Sequence, residues 1–154
     1  MITATVKHER VLRILLVFMG VPSVLIGLWA GFAPRGFYDD FPGAGAHWVS
    51  ALPPYNEHLE RDFGAASLGI AVLTGLAAYW MDRRVIQAAA LTLIAAGLPH
   101  LIYHLTTTGH YSTGDNVASL FGLALDVVLP LGILYLVSDS AQRPITRPAE
   151  PKRV

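Results

Sequence analysis

Two imidazoles stand four residues apart in Leu98-Pro99-His100-Leu101-Ile102-Tyr103-His104, at the end of a long apolar run. On a helix that spacing turns both rings to one face. Asp126 lies inside another apolar run, and His58 and Asp62 form a second pair at i, i+4. Imidazoles and carboxylates are suited to general acid–base catalysis, because a dry surrounding brings their pKa values toward neutrality. Isomerisation, cyclisation or hydrolysis of a lipophilic small molecule would suit such a set. His58, Asp62, His100 and His104 are also sound nitrogen and oxygen donors for iron, zinc or manganese, or for axial ligation of haem. The His100/His104 pair lacks the glutamate of the zinc-protease motif His-Glu-x-x-His. In a third reading, the same residues are a polar cluster holding together a non-enzymatic subunit or carrier. Enzyme and non-enzyme both stay open on these residues alone.

Composition narrows the setting. The chain has no cysteine, which excludes disulfides, thiolate metal sites and Cys-x-x-Cys redox chemistry. A formal net charge of zero argues against nucleic acid as a partner. Charged residues make up only 14% of the chain, against about a quarter in soluble domains. The mean hydropathy is +0.48.

The charge deficit is concentrated in four blocks. Residues 14–34 and 63–81 carry no charge, 85–103 carries only His100, and 117–137 carries only Asp126. Each approaches the ~20 residues that cross a bilayer as a helix. The expectation is an all-α fold: a four-transmembrane-helix bundle with a long extracytoplasmic loop between helices 1 and 2. Residues 1–13 form a cytoplasmic basic lead, 14–138 the membrane domain, and 139–154 a disordered, proline-rich cytoplasmic tail. The spans fall at 14–33, 59–81, 85–107 and 116–138. The first reads as an uncleaved anchor, since its apolar block outruns a signal sequence and a cut after Ala33 would precede Pro34. Nine of the eleven Lys and Arg residues lie in the lead, the 82–84 turn or the tail. By the positive-inside rule both termini of this multi-pass protein are cytoplasmic, in the cell membrane. Its partners would be the lipid bilayer, a lipophilic small molecule and further copies or other subunits.

Orientation gathers the polar residues at one end. Gly20, Ser23, Gly27 and Ala30 form a stripe of small residues that lets a second helix approach span one closely. Residues 34–58, rich in Pro, Gly and aromatics, suit the headgroup zone or a lid over the helices. His58 and Asp62 sit at the outer mouth of span two. Asp115, Ser119, Gly122 and Asp126 keep to one side of span four. At about 1.5 Å per residue, Asp126 lies on the order of 15 Å deep and His100 on the order of 10 Å. A charge at such depth costs roughly 2.5–3.5 kcal/mol, so an Asp126–His100 pair is expected. Pro130 frees the Asp126 carbonyl and Pro99 that of Ala95. Simpler roles compete: His58 as an interfacial helix start, Asp62 as a partner of Arg61, Asp115 or Asn116 as the N-cap of span four. Tyr103 would join an aromatic belt, and His47 and His110 would be loop residues.

The order of features resembles the small four-helix DoxX-like membrane proteins. The similarity rests on the Gly-rich first span, Phe32-Ala33-Pro34, Phe41-Pro42-Gly43 and Glu60-Arg61-Asp62-Phe63-Gly64-Ala65. It implies a four-helix fold and a loose link to membrane redox proteins. It carries no catalytic residues.

Overall fold

The computed structural model describes residues 8–52, 54–107 and 109–139. Residues 1–7 of the basic lead and the tail from 140 onward, expected to be disordered, lie outside the described residues. The chain runs α1 (Glu9–Phe32), α2 (Pro34–Asp40), β1 (Pro42–Gly43), β2 (Ala46–His47), α3 (Glu57–Trp80), α4 (Arg83–Thr106) and α5 (Thr113–Asp139). The fold is therefore helical apart from one two-residue β-ladder. Helices α1, α3, α4 and α5 are each long and apolar enough to cross a membrane.

Local chemistry sets the ends of these helices. The Asn56 side chain accepts from the Leu59 N–H and starts α3, and Asp82 accepts from Arg84 and Val85 to start α4. Helix α1 begins five residues before the expected span, because Arg13 donates both to Glu9 at 2.6 Å and to the Ala78 carbonyl at 2.7 Å. Neither Asp115 nor Asn116 is the N-cap of α5. Ser112 takes that place: its hydroxyl accepts from the Asp115 N–H and donates to the Asp115 carboxylate. The segment between α1 and α3 is built rather than loose. Pro34 opens α2 with the φ that a first helical turn needs. The β1–β2 hairpin turns on Ala44 and Gly45, both at positive φ, which matches the twist of the flanking strands.

The long helices pack most closely in pairs, α1 with α3 and α4 with α5. On α1, Gly20 and Gly27 face α3 as the stripe predicted, joined by Gly31. A Cβ on Gly64 would collide with the backbone nitrogen and Cα of Gly31, so the two main chains touch with nothing between them. Ser23, also on the stripe, turns elsewhere and back-bonds to the Met19 carbonyl. On α4, a Cβ on Gly97 would press against the Asp126 carbonyl at 3.2 Å, the carbonyl that Pro130 leaves without its helical donor. Where the termini meet, the pairs join in a solid core that includes Leu12, Leu16, Ala78, Ile86, Ile133 and Val137.

These contacts separate two kinds of glycine. Gly64→Ala should destabilise the protein by on the order of 2 kcal/mol, as overpacking does, since backbone must move to admit one methyl. Gly69 meets nothing within 4 Å, so Gly69→Ala should be neutral or stabilising by up to about 1 kcal/mol. Thermal unfolding of the two variants in detergent checks the contrast; equal midpoints would contradict it.

Candidate functional site

Away from the solid core the two helix pairs part, and the space between them is a cavity of about 560 Å³. Each long helix contributes a polar group to its wall: Ser23 from α1, Glu60 and Ser67 from α3, His100 and His104 from α4, Ser119 and Asp126 from α5. Apolar side chains fill the intervals, with Met19, Ile70, Leu93 and Leu123 toward the core. The segment between α1 and α3 covers the other end through Phe37, Phe41, Trp48, Val49 and Leu52.

That cover is held from both sides. Trp29, Phe37, Phe41 and Phe63 form a chain of rings, with Phe37 and Phe41 at 4.8 Å and Phe37 and Phe63 at 5.9 Å. Trp48 then crosses to the α4–α5 turn. Its indole N–H donates to the Asp115 carboxylate at 2.9 Å, and its carbonyl accepts from the Tyr111 hydroxyl at 2.8 Å. Burial, with a smaller push from Tyr103, raises the Tyr111 pKa above its ordinary value, so the hydroxyl stays protonated and keeps donating. The Tyr111 ring stacks on His104 at 5.8 Å, and His104 lies 4.9 Å from the His100 ring. The cover and the two imidazoles are thus one continuous set of contacts.

The sequence-predicted site residues divide into two groups. His100, His104 and Asp126 line the cavity. His58 and Asp62 do not: they pair with each other at 3.3 Å on the outside of α3, 88% and 63% exposed. Asp62 has no bond to Arg61, which instead grips Glu57 and the Gly31 carbonyl. No hydrogen bond joins Asp126 to His100 among the described residues. Helix α5 crosses α4 closest at Gly97, which leaves Asp126 one turn deeper than His100. Nor do three or more His, Asp or Glu side chains come close enough to share a metal ion among the described residues. His58 and Asp62 are turned away from His100 and His104, so this four-residue set does not converge.

Glu60 was missed and belongs to the wall. It is only 9% exposed, and it stands 200° around α3 from His58 at 100° per residue. The signal was present in the sequence. Glu60, Gly64, Ser67, Ala71, Thr74 and Ala78 follow helical spacing and make up most of the buried face of α3. Titratable residues at the helix start drew attention to the wrong face.

The polar groups of the wall differ in whether the protein satisfies them. Ser23 and Ser67 back-bond to carbonyls on their own helices. Ser119 does not: its hydroxyl is buried, with the residue 5% exposed, and it has no hydrogen-bond partner among the described residues. No hydrogen bond to a described residue occupies the side chains of Glu60, His100, His104 or Asp126. Glu60, His104 and Ser119 are buried, where polar groups normally find partners within the protein, while His100 and Asp126 are exposed. Here donors and acceptors from three helices face one space.

No family model, no curated protein and no solved structure matches this chain.

The chain's lack of cysteine makes the cover measurable. Gly122 lines the cavity, and a Cβ there meets nothing within 4 Å, so Gly122→Cys is a quiet reporter. Adding Trp48→Phe removes the bond to Asp115, a contact of about 1 kcal/mol. Maleimide labelling of the introduced thiol should then be about fivefold faster. An unchanged rate would mean that the cover does not control access.

Proposed function

We propose that this is an integral membrane protein that holds an amphipathic small molecule between its helix pairs and performs acid–base chemistry on it. The carrying observation is the cavity wall, where Ser119, His100, His104, Asp126 and Glu60 face a common space with no side-chain hydrogen bond to another described residue. A purely structural polar cluster would spend its hydrogen bonds between helices. This one leaves them free for a guest.

The outer surface supports the membrane setting. Leu25, Phe32, Val72, Leu91, Phe121 and Tyr135 are all exposed along the long helices, and a bilayer would cover them. Arg10, Arg13, Arg83 and Arg84 stand at the end where the termini meet, so the positive-inside rule puts that end in the cytoplasm and the cavity in the outer half of the membrane. An apolar groove of about 720 Å³ runs along α1 and shares Pro22, Ile26 and Phe41 with the cavity wall. Those three residues lie between the groove and the cavity, and in this reading a lipophilic molecule enters from lipid past them.

His100 and His104 carry the proton transfers in this reading, one imidazole taking a proton and its neighbour returning one. Asp126 and Glu60 stabilise positive charge as it develops. Ser119 and Tyr111 orient the guest's polar end. His58 and Asp62 take no part.

Native mass spectrometry of detergent-purified protein tests the reading. The wild type should release a stoichiometric lipophilic compound. Gly122→Trp should lose it, because the indole fills the space beside Gly122. His100→Ala should keep it in unreacted form, with turnover lowered by about 100-fold or more, as for loss of a general acid–base group. A compound retained in full by Gly122→Trp would place the binding site elsewhere.

A further inference from the structure

The cavity wall is electrostatically one-sided. Two carboxylates, Glu60 and Asp126, line it, and among the described residues neither Lys nor Arg does. The nearest arginine in sequence, Arg61, is committed to Glu57 and to the Gly31 carbonyl on the other side of α3. Asp115, at the start of α5, is held outside the cavity by Trp48 and Ser112. His100 and His104 bring no fixed positive charge.

Glu60, 9% exposed, is a carboxylate taken out of water without a partner among the described residues, which is costly, whereas Asp126 remains exposed. A partner from outside restores much of the loss. The unsatisfied Ser119 hydroxyl, buried in the same wall, is a second and independent sign that the partner comes from outside the chain. We infer that the guest's polar end is a hydrogen-bond-donating cation, so that the ligand class is a lipophilic amine rather than an anionic or neutral lipid. The inference rests on the reading of the cavity as an amphiphile site. Its proton balance is simple. If a carboxylate enters the encounter protonated, the amine nitrogen takes that proton, and the product in either case is an ammonium–carboxylate pair. An anionic head would instead face two carboxylates with no cation to offset them. The apolar groove past Pro22, Ile26 and Phe41 then takes the hydrocarbon part.

Gly122→Cys protein in phosphatidylcholine nanodiscs, a surface without net charge, provides the assay. Maleimide labelling is followed against increasing N,N-dimethyldodecylamine, dodecanol and dodecanoate, three probes of one chain length. The amine should protect saturably and at about tenfold lower concentration than the alcohol, the worth of one charge-assisted contact, and dodecanoate should protect least. Glu60→Gln and Asp126→Asn should each reduce that preference for the amine while leaving dodecanol protection in place. Glu60→Gln is nearly isosteric, so it answers the question even where Asp126→Asn fails to fold. Equal protection by all three probes, or an amine preference unchanged in both variants, would overturn the cationic head and leave the cavity reading standing. Saturable protection by none of them would overturn both.

Discussion

The contact between Gly64 and the backbone of Gly31 governs the rest of the molecule. Two main chains that touch without side chains between them fix both the distance and the rotation of α1 against α3. Gly20 against Thr74 and Gly27 against Leu68 continue the same seam toward the terminal end. With α1 committed to α3, and α4 committed to α5 at Gly97, residues on the remaining faces must span whatever distance is left. Near the termini Leu12, Leu16, Ile133 and Val137 are large enough to fill it. Toward the cover the facing residues are Ser23, Gly97, Ser119 and Gly122, and they are too small. The cavity follows from side-chain volume on a fixed frame.

The same seam explains why short stretches of this sequence stand out. Glu60-Arg61-Asp62-Phe63-Gly64-Ala65 holds four separate duties: a cavity carboxylate, a guanidinium on the Gly31 carbonyl, a ring against Phe37 and the glycine of the backbone contact. Phe32-Ala33-Pro34 and Phe41-Pro42-Gly43 begin and end the short helix that carries the aromatic cover. Motifs of this kind report how a four-helix frame is closed. They are silent about what it holds.

Much of the fold was legible because apolar blocks of bilayer length and short polar turns leave few alternatives. The four long helices and the small-residue face of α1 are local or periodic properties. The helix starts were less so: Arg13 extends α1 through a bond to Ala78, sixty-five residues away. The candidate site divides along the same line. His100, His104 and Asp126 were found because an ionisable residue in an apolar run has few places to go. Glu60 was passed over because it lies among charged neighbours, and only the register set by the Asn56 cap and Gly64 separates it from them. The Asp126–His100 pair was expected from two depths estimated independently. Helix depth within one turn does not decide a hydrogen bond, since the crossing point of two helices is fixed by the smallest residue between them, here Gly97.

A bundle that leaves the buried Glu60 carboxylate and the Ser119 hydroxyl without hydrogen bonds to described residues gives up stability that apolar side chains at those positions would have supplied. The arrangement is tolerable because the deficit is confined to one end. The solid core near the termini and the backbone seam between α1 and α3 do not depend on the cavity wall, and the aromatic chain from Trp29 to Trp48 ties the cover down without using any of its polar groups. The solid core and the polar wall therefore occupy separate parts of one frame. The two meet at His104, which stacks on Tyr111 and through it reaches the carbonyl of Trp48. A displacement of His104 would therefore reach Trp48, the residue that fastens the cover, through Tyr111.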